Sequence, residues 1–322
     1  MRHKVEFVDL FSGAGGFAWG FYETGLYKPV LAVDNFKPAA LTYKANIPDP
    51  LVLVEDIKEV DYATLKSVLG DLDIPLVIGS PPCEPFTGAN PRRERDPINR
   101  LYVDPQGQLT LHFIRIVGLL KPRVFIMENV PAIMEGGLRE ALTREFKRIG
   151  YHKLYFNVLN AEDYSNPSKR RRVFISNVEI KPPKSNEKVR VIDALSGMPP
   201  PGSSLPNHDP PPELSWRKLK KVAKLKHGKA LIYFQGAVGE IPNLIRLDPY
   251  EVAPTVLGSS RFIHPFENRL LTVREQARLM GFPDHFVFYG GRDEQYNQVG
   301  EAVPIPLSRA IALFVYEILR EL

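Results

Sequence analysis

The apolar, β-branched run VEFVDL at residues 5–10 passes directly into the glycine cluster Ser12, Gly13, Ala14, Gly15 and Gly16, and then into a helix-forming stretch that starts at Phe17. A strand that ends in a glycine turn and feeds a helix leaves few folds open, because the helix must pack back on its own sheet. Short apolar runs at 30–33, 51–54, 76–78 and 124–127 alternate with helix-length segments. This pattern predicts an α/β fold with a mostly parallel sheet, helices on both faces, and ligands at the carboxyl ends of the strands. Glycines allow a sharp turn and close approach to a ligand. The spacing is not the G-x-G-x-x-G of dinucleotide enzymes, so a purely structural turn stays open beside a cofactor loop.

The chain of 322 residues has room for one large α/β domain and a smaller one. From residue 176 to 262 the texture changes. Prolines crowd 198–213 and a basic segment fills 216–229, as expected of an inserted domain between 1–175 and 263–322. Leu219, Val222 and Leu225 recur at helical spacing there, which suits either a solvated surface helix or one that touches phosphates. Amphipathic helices are predicted at 271–280 and 308–322. No internal repeat is visible.

Composition excludes more than it selects. No apolar run nears the roughly 18 residues that span a bilayer, and the charged first ten residues do not resemble a secretion signal. A cytoplasmic protein is therefore expected. The net charge of +5 favours a polyanionic partner without requiring one. A single cysteine rules out an internal disulfide and a thiolate-rich zinc site, and no metal is expected.

That cysteine, Cys83, follows the fourth predicted strand in the loop Gly79-Ser80-Pro81-Pro82-Cys83-Glu84. A lone cysteine is usually a small buried hydrophobe, but one held by a stiff proline pair in a polar loop suits a nucleophile. Asp34 and Asp56 close the second and third strands, where acids can accept hydrogen bonds from ribose hydroxyls and an adenine amine. Helix capping is the alternative for each. Glu128 ends the fifth strand.

With these residues in place, the sequence closely resembles the DNA cytosine-5 methyltransferase family. The likeness runs through Asp9-Leu10-Phe11-Ser12-Gly13-Ala14-Gly15-Gly16-Phe17, Pro81-Pro82-Cys83, Glu128-Asn129-Val130, Lys169-Arg170-Arg171-Arg172, the block from Leu271 to Pro283, and Gln298-Val299-Gly300-Glu301-Ala302-Val303-Pro304. These blocks occur in the family's order over almost the whole chain. The resemblance implies a Rossmann-like methyltransferase fold that binds S-adenosylmethionine, with 176–262 as a target-recognition domain. It assigns cofactor contacts to Phe11, Ser12, Gly13, Ala14, Gly15, Gly16, Phe17, Asp34, Asn35, Asp56, Ile57, Pro82, Glu301, Ala302 and Val303.

The implied chemistry fits the residue types. C5 of cytosine is a poor nucleophile, and addition of the Cys83 thiolate to C6 makes the ring an enamine able to take a methyl group. Glu128 would hold N3 and the amino group, Arg172 the ring O2, and Arg170 would brace the site. The target base must leave the duplex, and residues 86–108, with Gly88 and Gly107 near the ends, are long enough for a lid. Double-stranded DNA is the implied partner, with a restriction endonuclease acting separately and a monomeric, nucleoid-associated enzyme. Three positions depart from the family pattern: Glu84 and Ser168 stand where glutamine is usual, and Glu301 where asparagine is usual. Competing expectations are an RNA cytosine methyltransferase, a silent DNA-binding regulator that would have lost Cys83 or Glu128, and a dinucleotide oxidoreductase, which the glycine spacing disfavours.

Overall fold

A computed structural model describes residues 4–322; the first three, part of the stretch weighed above as a secretion signal and of the expected 1–175 portion, lie outside the described residues. The chain runs β1 (Val5–Leu10), α1 (Gly16–Tyr22), β2 (Tyr27–Val33), α2 (Lys37–Asn46), β3 (Leu51–Leu53), α3 (Tyr62–Leu69) and β4 (Leu76–Gly79). It continues through α4 (Pro97–Tyr102), α5 (Leu109–Leu120), β5 (Val124–Asn129), α6 (Leu138–Arg148), β6 (Tyr155–Asn160) and β7 (Arg171–Ser176). These seven strands form one sheet in the order β3-β2-β1-β4-β5-β7-β6. Strands β1 to β5 are mutually parallel, and β7 runs antiparallel to both β5 and β6.

The central strands are apolar throughout because both faces of the sheet are covered. Phe7, Leu76, Ile78, Val124 and Ile126 belong to the core on one face. Their neighbours Val8, Val77, Phe125 and Met127 belong to the core on the other. That is the alternation a pleated strand imposes. Two buried helices frame the start of the sheet: α1 packs on α11 (Ile305–Glu321), and the Tyr27 hydroxyl donates to the Ala312 carbonyl at 2.7 Å.

Beyond β7 come α7 (Val191–Ala194), α8 (Trp216–Val222), β8 (Ala230–Gly236), β9 (Gly239–Arg246) and β10 (Phe262–Ile263), the last three forming a second, small sheet. Val222, Leu244, Ile263 and Leu270 make a core of their own. The buried Arg246 guanidinium ties this part together, donating to the Val222 carbonyl at 2.8 Å and to Asn268 Oδ1 at 2.6 Å. Ile245, Leu247, Ala253, Val256 and Phe262, in contrast, pack into the core of the large sheet. Helix α8 is shorter than the apolar spacing predicts: it ends at Val222, which is buried, before Leu225 is reached. The chain returns through α9 (Val273–Arg278) and α10 (Arg292–Glu301) to α11. Helix α9 starts at a capping box in which the Thr272 hydroxyl accepts from the Glu275 amide and Glu275 accepts from the Thr272 amide. Among the described residues no single helix is long and apolar enough to cross a membrane.

Candidate active site

The carboxyl ends of β1 to β5 open on a cavity of about 580 Å³. Its floor is the turn after β1. Gly13 takes φ +52°, a left-handed conformation, and a Cβ built on it would meet nothing within 4 Å, so this backbone faces open space. Gly16 is the opposite case. A Cβ there would lie 2.8 Å from the Ala302 Cβ, so its bare backbone lets the turn close against the α10–α11 connection. Glu301, Ala302 and Val303 thereby reach the cavity, almost 290 residues along the chain from the turn they touch.

Asp34 holds the turn in shape. Its Oδ2 accepts from the Gly13 amide at 2.7 Å and its Oδ1 from the Phe36 amide at 2.8 Å. Burial raises its pKa against the pull of those two amides. Asp56 accepts from the Lys58 amide at 3.0 Å through Oδ1, which leaves its second oxygen to the cavity. Beneath the turn Asp9 is fully buried, and burial followed by the charge of Asp34 keeps its carboxyl well above the usual range. The Ser12 and Ser80 hydroxyls are buried with no hydrogen-bond partner among the described residues. Unsatisfied buried hydroxyls beside an open glycine backbone and two acids are the polar groups that a bound nucleoside would complete.

Cys83 sits at the start of a tight turn, its carbonyl accepting from the amides of Phe86 and Thr87, both at 3.0 Å. Asn129 at the end of β5 donates to the Pro81 carbonyl at 3.1 Å and fixes the proline loop to the sheet. Burial, then the charges of Glu84 and Glu128, push the thiol up to about 12, against the opposing pull of Arg172 and Arg170. Glu128 accepts from Arg172 Nε at 2.9 Å with both side chains nearly sealed from water. The two are neighbours because β5 and β7 pair antiparallel, Glu128 opposite Phe174.

Arg170 is a brace. Its Nη1 donates to the Val256 carbonyl at 3.0 Å and its Nη2 to the Glu301 carbonyl at 3.3 Å, so it joins the large sheet, the 253–258 segment and the end of α10. Burial, followed by repulsion from Arg172, lowers it to about 9. Segment 86–108 is folded down here. Arg93 donates to the Phe86 carbonyl at 2.7 Å, and the Gly88 carbonyl accepts from the Ala237 amide at 2.8 Å at the tip of the β8–β9 hairpin.

All the residues singled out from the sequence line this one cavity except Gly15, which lies behind the turn, where a Cβ would press on Tyr43 at 2.9 Å. Sequence reasoning missed Thr255, Leu257 and Gly258, and also Asn297 and Gln298 of α10. The 255–258 segment carries no local signal. It reaches the site through long-range backbone bonds, the Ala253 amide to the Pro167 carbonyl at 2.9 Å and the Lys169 amide to the Ala253 carbonyl at 2.8 Å. Asn297 and Gln298 were within reach, since one helical turn back from Glu301 faces the same way. Among the described residues no group of three or more His, Cys, Asp or Glu is gathered as metal ligands.

A family model described as C-5 cytosine-specific DNA methylase matches residues 5–196 and 204–316. Among individual proteins, the chain is 48% identical over 312 residues to a Methanocaldococcus jannaschii protein described as a "Putative type II methyltransferase", covering 96% of this chain and 98% of the relative. It is 35% identical over 328 residues to the type II methyltransferase M1.HphI of Haemophilus parahaemolyticus, covering 96% of this chain and 86% of the relative. A solved prophage-encoded Escherichia coli structure, described as a "putative DNA modification methyltransferase", superimposes with a TM-score of 0.79 at 26% identity, over 98% of this chain and 100% of that one.

Proposed function

The chain belongs to the C-5 cytosine-specific DNA methylase family, and from that premise we propose that it methylates C5 of a specific cytosine in double-stranded DNA, with S-adenosylmethionine as donor and Cys83 as nucleophile. One observation carries the proposal: Cys83, the Glu128–Arg172 pair and the open face of the glycine turn all border a single cavity at the carboxyl ends of the parallel strands.

S-adenosylmethionine supplies an electrophilic methyl group when bound. Asp34 and Asp56 would hold its hydroxyls and amine, Phe11 and Ile57 its apolar faces, and Gly13 with Ser12 its polar tail. The duplex gives up its target base at a cost of a few kcal/mol. Cys83 Sγ then adds to C6, Glu128 holds N3 and the amino group and shares a proton with the activated ring, and Arg172 takes the charge that grows on O2. Since Arg172 already neutralises Glu128, an incoming base meets a preorganised pair. Loss of the C5 proton and cleavage of the carbon–sulfur bond complete the turnover.

Residues 176–262 would read the DNA sequence, with α8 and the β8–β9 hairpin nearest to the task, and 86–108 would close over the extruded base. The type II relatives support a place in a restriction-modification pair whose endonuclease is a separate protein. The enzyme would work as a monomer in the cytoplasm, at the nucleoid. Methyl transfer from labelled cofactor to duplex DNA and to tRNA, with bisulfite sequencing of the DNA product, tests the reading. Label on DNA cytosine at one sequence is expected. Transfer to tRNA alone would overturn it.

A further inference from the structure

Two carboxylates flank the nucleophile. Glu84 follows Cys83 directly, Glu301 ends α10, and both line the same cavity as the thiol. Both depart from the family pattern in the same sense, acid for amide. Glu84 Oε2 is sealed from solvent without a hydrogen-bond partner among the described residues, while its carbonyl is held by Asn90 at 3.0 Å. The Glu301 carbonyl is occupied by Arg170 at 3.3 Å, which leaves its carboxyl to the cavity.

The charged groups around them are few enough to name. Burial and then the charge of Glu84 raise Glu301 to about 7; Asp34 adds to this, and Asn297 and Arg170 oppose it. Glu84 is also the largest charged contributor raising Cys83, with Glu128 in the same sense and Arg172 and Arg170 in the other. Three mutually repelling acids in one partly dry cavity do not all ionise together, and their protons belong to the group as a whole.

We propose that Glu84 and Glu301 act as one carboxyl pair that holds a proton and, through its charge, sets when Cys83 ionises. The inference rests on the reading of Cys83 as the nucleophile. As Cys83 attacks, its S–H bond breaks and an O–H bond forms on the pair, so the net charge of the cavity is unchanged. The thiolate electron pair enters the new carbon–sulfur bond and returns to sulfur when that bond breaks. The one proton released per methyl group leaves from C5. Glu84 and Glu301 are thus positioning residues that act through Cys83.

Because the chain has one cysteine, the alkylation rate of the full chain with iodoacetamide against pH reports on Cys83 alone, with neither DNA nor cofactor. The wild-type half-point is expected well above the roughly 8.5 of an ordinary thiol. Glu84→Gln and Glu301→Gln should each lower it, with about tenfold faster alkylation at fixed pH for each unit of displacement. Unfolding would also lower it, so Glu84→Asp and Glu301→Asp serve as the check: keeping the charge, they should stay near wild type. An unchanged half-point in both amide variants, or equal lowering by the aspartate variants, overturns the proposal. No methyl acceptor enters the assay. A chain that fails to methylate DNA but shows this coupling would sink the functional reading alone, and an active chain without the coupling would sink the pair alone.

Discussion

Arg172 Nε lies 2.9 Å from Glu128 Oε1, and the two side chains keep only 11% and 7% of their exposure. Removing one member of such a pair leaves a buried, uncompensated charge, which typically costs about 3–5 kcal/mol. Arg172→Ala should therefore lower both the melting temperature and the rate. Arg172→Lys should recover most of the stability but little of the rate, because a single ammonium cannot present the fixed fork of a guanidinium. Loss of one charge-stabilising donor typically costs about 10²–10³ in kcat. Melting curves and kcat measured on both variants check this, and full activity in Arg172→Ala would remove it from the chemistry.

Cys83→Ala deletes the one group that can bond to C6. Methylation should vanish while cofactor affinity, measured by calorimetry, stays within a few-fold of wild type, since the glycine turn and the acids at the strand ends are untouched. A duplex with 5-fluorocytosine at the target should trap wild-type protein as a denaturation-resistant adduct, because no proton can leave C5. Undiminished turnover in the variant, or no slow-migrating species on the gel, would refute covalent catalysis.

Most of the large sheet was legible because buried parallel strands are continuous apolar runs: the runs at 30–33 and 124–127 lie inside β2 and β5. Asp34, Cys83 and Glu128 were legible for a related reason, since each ends or directly follows a strand and strand ends converge. What the sequence hid is set by contacts distant along the chain. Thr255 reaches the cavity only because Lys169 and Ala253 share a backbone bond. The short α8 was over-read, as Leu225 continues the apolar spacing after the backbone has already left the helix at Val222. The bare Gly16 could be seen in the sequence, but not that Ala302 is what fills the space beside it.

That contact makes a sharp test of how the cavity is closed. A methyl on Gly16 would sit 2.8 Å from the Ala302 Cβ and 3.1 Å from the Val303 carbonyl oxygen, so the α10–α11 connection must move. Overpacking of this kind usually costs about 1–3 kcal/mol. Gly16→Ala should lower the melting temperature and weaken cofactor binding together. Ala302→Gly, harmful alone, should restore part of both in the double variant, because the two changes share one contact. Simple additivity in a double-mutant cycle would show that the close approach is not what shapes the cavity.

The raised carboxyl of Glu301 also leaves a mark on stability. Its value in the folded chain is about 7, above the 4.5 of a free glutamate, because burial and the neighbouring Glu84 disfavour its charge. Between those two values the folded chain holds a proton that the unfolded chain has released. Stability therefore falls as pH rises through this window and levels off above it. Asp9 and Asp34, also raised by burial, act in the same direction, whereas Asp284, lowered first by its hydrogen bond to Arg278, acts in the opposite one. A single melting curve mixes these contributions. The difference between wild type and Glu301→Gln isolates one of them: melting temperatures recorded from about pH 4.5 to 8 should show the wild type losing stability relative to the variant up to about neutrality and running parallel to it above. A constant difference across the whole range would mean that the Glu301 carboxyl ionises as freely in the folded chain as in the unfolded one.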